Sequence, residues 1–166
     1  MSNSKKRRLA GPSARSRELH SFRRLPSFRL YLLALHSERL HEQHYKEHFG
    51  LNLWEGRVIG VVGAYGMASF RHPMENLNFG RSRVSLLIKR LIKRGLLTNV
   101  GDSSDKRITK VALTVRGRAI HKSLNAAAAS LNREWFSAIS KQDRKTFSNC
   151  LDILTTSARS MRKRQE

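Results

Sequence analysis

Between Arg81 and Arg94 the sequence reads RSRVSLLIKRLIKR, and its polar members keep a regular spacing. At about 100° per residue, Ser82, Leu86, Lys89 and Lys93 share one side of a helix, with Ser85 and Arg90 at its margins. Val84, Leu87, Ile88 and Leu91 converge on the opposite side as a core face. Hydroxyls and long cations on one outward face can hydrogen-bond base edges in a major groove and neutralise the phosphates beside it. On that reading Ser82, Arg83, Ser85, Leu86 and Lys89 face the groove, Arg90 and Lys93 anchor phosphates, and Arg81 adds charge at the helix start. Leu86 suits contact with a thymine methyl. A charged face that merely meets solvent would carry the same residue types, so the neighbouring elements must decide.

Directly after this helix, Leu96 to Val100 forms a short apolar run, and Val111, Leu113 and Val115 alternate with Lys110, Ala112 and Thr114. Period-two alternation marks a half-buried strand, and Gly101-Asp102-Ser103-Ser104-Asp105 supplies turn chemistry between the two runs. The result is a hairpin with Lys106 and Arg107 near its tip. Arg107 has two uses: an exposed ion pair with Asp102 or Asp105, or insertion into a narrow minor groove, where negative potential concentrates. A hairpin alone is marginally stable and needs a body to pack against.

That body is helical. Ser27 to about Phe49 lacks Pro and Gly and repeats Phe28, Leu32, Leu35 and Leu33, Leu40 at helical spacings. Gly50 ends it, and Asn52 is placed to cap a second helix through Trp54, Val58, Ile59 and Val62. Pro73 begins a short helix to Leu77, and Asn78 and Gly80 make a turn, Asn tolerating the left-handed conformation. Thr114 caps a helix from Val115 with a stripe of Ile120, Leu124, Leu131, Trp135 and Ile139. Ser140 and Asp143 resemble a capping box for a last helix that buries Phe147, Leu151, Leu154 and Ala158. A short helix, a tight turn, a basic helix and a hairpin in succession make a winged helix-turn-helix unit.

Charge agrees. The 166 residues carry 33 Lys and Arg against 12 Asp and Glu, a net +21. Such an excess points to a polyanionic partner. Residues 81–118 alone hold 11 cations and two Asp, so the charge gathers around the basic helix and hairpin. This concentration argues against a membrane-surface protein. No run approaches a membrane span, and no apolar stretch follows the N-terminal cations as in a secretory signal. Cys150, the single cysteine, excludes an intrachain disulfide and a thiolate zinc cluster, and fits a reducing cytoplasmic, nucleoid-associated setting.

Other constellations are weaker. His36, His41, His44 and His48 share the first helix, and the last three lie on one side, where a metal or a proton could bind. A polar helix face is the simpler account, and no metal is assigned. Cys150, among Phe147 and Leu154, reads as an inert buried thiol. GDSSDKR lacks the glycine and terminal Glu of a calcium loop. No phosphate-binding glycine loop, nucleophile elbow or carboxylate pair appears, so neither enzyme activity nor a cofactor is expected.

RSRVSLLIKRLIKRGLL followed by GDSSDKRITKVALTVRG resembles the MarR family of bacterial transcription regulators. In that family a recognition helix ending in Arg-Gly-Leu leads into a wing with an Asp…Asp-Lys/Arg-Arg tip. A Leu-Thr-x-x-Gly stretch, here Leu113, Thr114 and Gly117, then opens the next helix. The chain departs from the pattern at His72-Pro73, where Glu-Leu is usual. It departs again at Gly56, where an aromatic residue often precedes the Arg, here Arg57; Trp54 stands nearby.

The resemblance implies a homodimer held by the first and last two helices. It also implies repression relieved by a small effector such as an aromatic acid, phenol or thioester. Arg57, His36 and His44 are the candidate effector-binding residues. The expected fold is mostly α with a small two- or three-stranded β wing. A basic arm (1–25) precedes one domain (26–160), and a basic tail (161–166) follows. Within the domain the winged lobe spans about 53–115 and the dimerisation helices about 27–49 and 115–160. The expected function is a sequence-specific regulator of double-stranded DNA, with a sequence-tolerant architectural DNA-binding protein as the alternative.

Overall fold

A computed structural model of the chain describes residues 22–101 and 110–164, which fall into two compact units divided after Leu53. Most of the basic arm, the tip of the hairpin and the last two residues lie outside the described residues. The first unit is dominated by α1 (Pro26–Phe49). Proline at the first position gives up no needed amide, and Gly50, at φ 59°, ends the helix in the left-handed region as its lack of a Cβ allows. Residues 22–24 are also helical, and the Phe22 ring lies 4.6 Å from Phe28, so the arm ends earlier than the charge pattern suggested. The amide of Leu53, at the head of the next helix, donates to Glu42 Oε2 at 2.6 Å. A side chain eleven residues upstream thus satisfies one of the orphan donors of a helix start.

The second unit holds α2 (Leu53–Tyr65) from its second residue, β1 (Met67–Ser69), α3 (Arg71–Leu77), α4 (Arg81–Lys93), β2 (Leu97–Val100), β3 (Lys110–Leu113), α5 (Val115–Phe136) and α6 (Lys141–Lys163). The sheet is antiparallel in the order β1-β3-β2. Opposite β3, Leu97 pairs with Leu113 and Val100 with Lys110 on one side, and Ala68 with Val111 on the other. Val58, Ile59, Val62, Val84, Ile88, Leu91, Leu97 and Val111 are fully buried and make the core. Short helix α3 begins at Arg71, two residues before Pro73. Proline is tolerated there because amides of a first turn have no intrahelical acceptor.

The Arg-Gly-Leu and Leu-Thr-x-x-Gly stretches meet at one corner. Gly95 follows α4 at φ 67°, and the Leu96 amide returns to the Leu91 carbonyl at 2.9 Å. Thr114 Oγ1 donates to the Gly95 carbonyl (2.7 Å) and accepts from the Gly117 amide (3.0 Å), capping α5. The Leu96 carbonyl accepts the Thr114 amide at 3.1 Å. A Cβ at Gly117 would overlap that same carbonyl oxygen, so the close approach requires glycine. Thr114→Ala removes the cap and the tie to Gly95 together. We expect it to lower stability in urea denaturation by about 1–2 kcal/mol.

Val115 opens α5 directly behind the Thr114 cap, as the sequence predicts, and is 77% exposed, β3 having stopped at Leu113. Three expectations are corrected. Helix α5 ends at Phe136, which leaves Ile139 exposed in the turn before α6. The Ser140 cap is present, its Oγ accepting the Asp143 amide at 3.1 Å. However, α6 buries none of its residues within the chain: Phe147 is half-buried, while Leu151, Leu154, Ala158 and Cys150 are exposed. An apolar stripe becomes core only if another element faces it, and periodicity cannot say whether that element belongs to the same chain. Finally, α6 continues through Lys163, so residues 161–163 form its last turn and not a separate tail.

Candidate nucleic-acid interface

Helix α4 is the only α-helix among the described residues that carries a buried apolar face and no acidic residue on its other sides. Val84, Leu87, Ile88 and Leu91 are buried, whereas Arg81, Ser82, Arg83, Leu86, Lys89, Arg90 and Lys93 are exposed and Ser85 is half-buried. The core therefore fixes the rotation of the helix about its axis, and with it the set of side chains turned outward. The turn ahead of it is set by Asn78, at φ 52° and ψ 46°, whose amide donates to the Met74 carbonyl. Gly80 precedes the first helical residue without a side-chain cap.

Two contacts hold the ends of α4. At its C-terminus, Arg94 Nη1 donates to Glu55 Oε2 at 3.0 Å. The Glu55 carboxylate is 8% exposed and the Arg94 side chain 38%, so the pair ties a buried charge of α2 to the end of the basic helix. Arg94→Ala would take the guanidinium away from that buried carboxylate. Because the Arg is partly solvated, we expect a loss of about 2 kcal/mol in thermal or urea unfolding, below the range for a fully buried pair.

Near the N-terminus, the rings of Trp54 and Phe79 meet at 4.6 Å. The Arg83 guanidinium lies 3.8 Å from the Phe79 centroid and 4.8 Å from Trp54, and Arg57 lies 4.7 Å from Trp54. Trp54 is thus the aromatic partner of Arg57, three residues away on the same helix. Arg83 remains exposed, but its guanidinium is drawn onto the aromatic pair at the flank of α4 and stands apart from the Ser82–Leu86–Lys89–Lys93 face. A cation on aromatic faces is preorganised without losing its ability to donate to a phosphate. No periodicity in the sequence announces this cluster, whose members come from three separate segments.

Beside α4 stands the three-stranded wing. Its strands carry the paired ends of the hairpin to Val100 and Lys110, and Lys106 and Arg107 fall outside the described residues. On its other side β1 is tied to α3: the Ser69 amide donates to His72 Nδ1 at 3.2 Å, and the His72 ring stacks on Tyr65 at 4.0 Å. Glu75 of α3 is engaged by Arg71.

Of the candidate effector residues, His36 and His44 belong to the first unit and Arg57 to the second. His36 is exposed, and His44 stacks on His48 at 4.2 Å. His41 Nδ1 lies 2.7 Å from the Ser37 carbonyl, so His41 and His44 are both engaged along α1. Among the described residues no three His, Cys, Asp or Glu side chains are grouped to hold a metal ion. None of the described helices is long and apolar enough to cross a membrane.

Residues 71–117 match the family of winged helix DNA-binding domains, which spans α3, α4, the hairpin and the start of α5. Solved structures of similar fold include the MarR/EmrR family transcriptional regulator of Acinetobacter sp. ADP1. It has a TM-score of 0.73 and 19% identity over 86% of this chain and 97% of that one. The chain has a MarR-type fold. BpsR of Bordetella bronchiseptica, described in connection with regulation of its DNA binding by 6-hydroxynicotinic acid, has TM-score 0.71 and 20% identity, covering 87% and 98% of the two chains. MepR of S. aureus in complex with DNA has TM-score 0.71 and 18% identity, covering 81% and 98%. A comparison with curated protein sequences finds no match. Helix α4 and the β2–β3 hairpin both lie within the matched residues 71–117. Both departures from the family pattern find local accounts here, Pro73 in the first turn of α3 and Trp54 against Arg57.

Proposed function

We propose that the protein is a sequence-specific transcriptional regulator that binds double-stranded DNA as a homodimer and acts as a ligand-responsive repressor. The observation that carries this reading is α4. Its rotation is fixed by four buried residues, and it presents Ser82, Leu86, Lys89 and Lys93 on one exposed face beside the wing. An α-helix so presented fits a major groove, and its hydroxyls and cations match base edges and phosphates. The dimer is supported by the apolar residues that α6 exposes, Ile153, Leu154 and Met161 among them. The effector is a small aromatic acid or thioester, with Arg57 as the group to pair with a carboxylate.

The test is binding to a duplex selected by the full-length protein from a random-sequence pool, compared with an unselected duplex of the same length. Affinity should fall steeply with salt, with a log–log slope of about −0.9 per phosphate contact, yet selectivity should survive at physiological salt. Lys89→Ala should cost roughly tenfold or more on the selected duplex. Equal affinity for both duplexes at physiological salt would replace this reading with that of a sequence-tolerant architectural protein, which the net charge of +21 alone would suit. For the effector, aromatic acids that release wild-type protein from DNA should fail to release Arg57→Ala. Equal release of both would remove Arg57 from the site.

A further inference from the structure

Helices α5 and α6 have nearly equal lengths, 22 and 23 residues, and are joined by a short turn across which Phe136 and Phe147 approach to 6.0 Å. At about 1.5 Å per residue each runs for roughly 33–35 Å. Helix α5 starts at the base of the wing, so a return of the same length can bring the end of α6 back to the level of the DNA-reading elements. One contact fixes that return: Arg162 Nη1 donates to Asn78 Oδ1 at 3.2 Å, across 84 positions of sequence. Asn78 is the left-handed turn residue directly ahead of α4. The last turns of α6 therefore lie beside the N-terminal end of the basic helix of the same chain.

These two stretches share a charge pattern. Residues 153–164 contain Arg159, Arg162, Lys163 and Arg164 and no Asp or Glu, and residues 76–101 likewise contain no acid. Arg159, Lys163 and Arg164 are exposed. Exposed cations held close together raise one another's free energy, and a row of phosphates relieves this by taking the place of condensed counterions. We propose that the C-terminal end of α6 is a second DNA-backbone contact surface, continuous in the same protomer with α4. Its ligands are the phosphates that flank the groove α4 enters, and it contributes affinity without base selectivity. Asn78 is the positioning residue: its side chain seats Arg162, and the seat sets the level at which Arg159, Lys163 and Arg164 meet the duplex. The inference rests on the proposed DNA-binding function and adds a contact that the winged unit by itself does not contain.

The experiment uses the full-length protein with the triple substitution Arg159→Gln, Lys163→Gln and Arg164→Gln, which leaves the Arg162–Asn78 contact in place. The probes are the selected duplex and an unselected duplex of the same length. Affinity for both should fall by the same factor, roughly tenfold or more, and the salt slope should become shallower by about two to three. Hydroxyl-radical protection should be lost at the outer phosphates of the footprint and kept at its centre. A charge-preserving variant, Arg159→Lys with Arg164→Lys, should retain wild-type slope and footprint. An unchanged slope and footprint in the triple variant, with Lys89→Ala still impaired, would overturn the proposal and leave the DNA-binding reading standing. Failure of the wild type to bind either duplex would overturn that reading and the proposal with it.

Discussion

Glutamate at both Leu151 and Leu154 is expected to break the proposed dimer into monomers and to lower affinity for the selected duplex at least a hundredfold. The two residues lie on one stripe of α6 and are exposed in the single chain. A charged side chain there costs the isolated protomer little, since each carboxylate stays in water. In a dimer that covers the stripe, four carboxylates would lose hydration without gaining partners, which carries a large penalty. The drop in DNA affinity follows from lost bivalency. Two linked reading heads gain about 10²–10⁴ over one, without any new contact. Sedimentation should report monomers with intact helical circular dichroism. A folded double variant that still sediments as a dimer would place the interface elsewhere.

Gly117→Ala should be strongly destabilising for a single added methyl group. In an ordinary helix the change would be favourable by roughly 0.5–1 kcal/mol, because alanine is the better helix former. At this position the added Cβ overlaps the Leu96 carbonyl oxygen, and that oxygen cannot swing aside because it accepts the Thr114 amide. Relief requires the start of α5 to lift from the end of α4, which opens the Thr114 cap and the contact with Gly95 as well. Overpacking against backbone in this way costs about 3 kcal/mol, well above the propensity gain. The measurement is urea denaturation monitored by circular dichroism. Stability equal to or above wild type would mean that the corner relaxes at no cost.

The parts of this molecule that were legible in its sequence are those whose physics is local. The two faces of α4, the left-handed Gly50 and Asn78, the Thr114 and Ser140 caps and the paired strands of the wing all follow from spacing or from one residue's conformational range. What escaped depends on partners distant in sequence. Glu55 meets Arg94 across 39 positions, and Trp54 meets Phe79 and Arg83 only after the turn at Asn78 has formed. Strand β1 has three residues, too few for an alternation to register, and exists because β3 offers it an edge. The α6 stripe follows from spacing but its exposure does not, since spacing reveals an apolar face and not what covers it. Arg83 shows the limit on the functional side: its angle on the helix placed it near the groove, while two aromatic rings decide where its guanidinium rests.

The order β1-β3-β2 places the best-paired strand at the centre and leaves, among the described residues, two outer borders of only three and four residues. Templated growth of a sheet needs a long, flat run of unmatched amides, and neither border offers one. On the β2 side Thr98 and Asn99 are polar and exposed. The described part of the sheet therefore offers no template for fibril growth. In concentrated solution, association that goes astray should retain helical signatures in infrared spectra and fail to bind amyloid dyes.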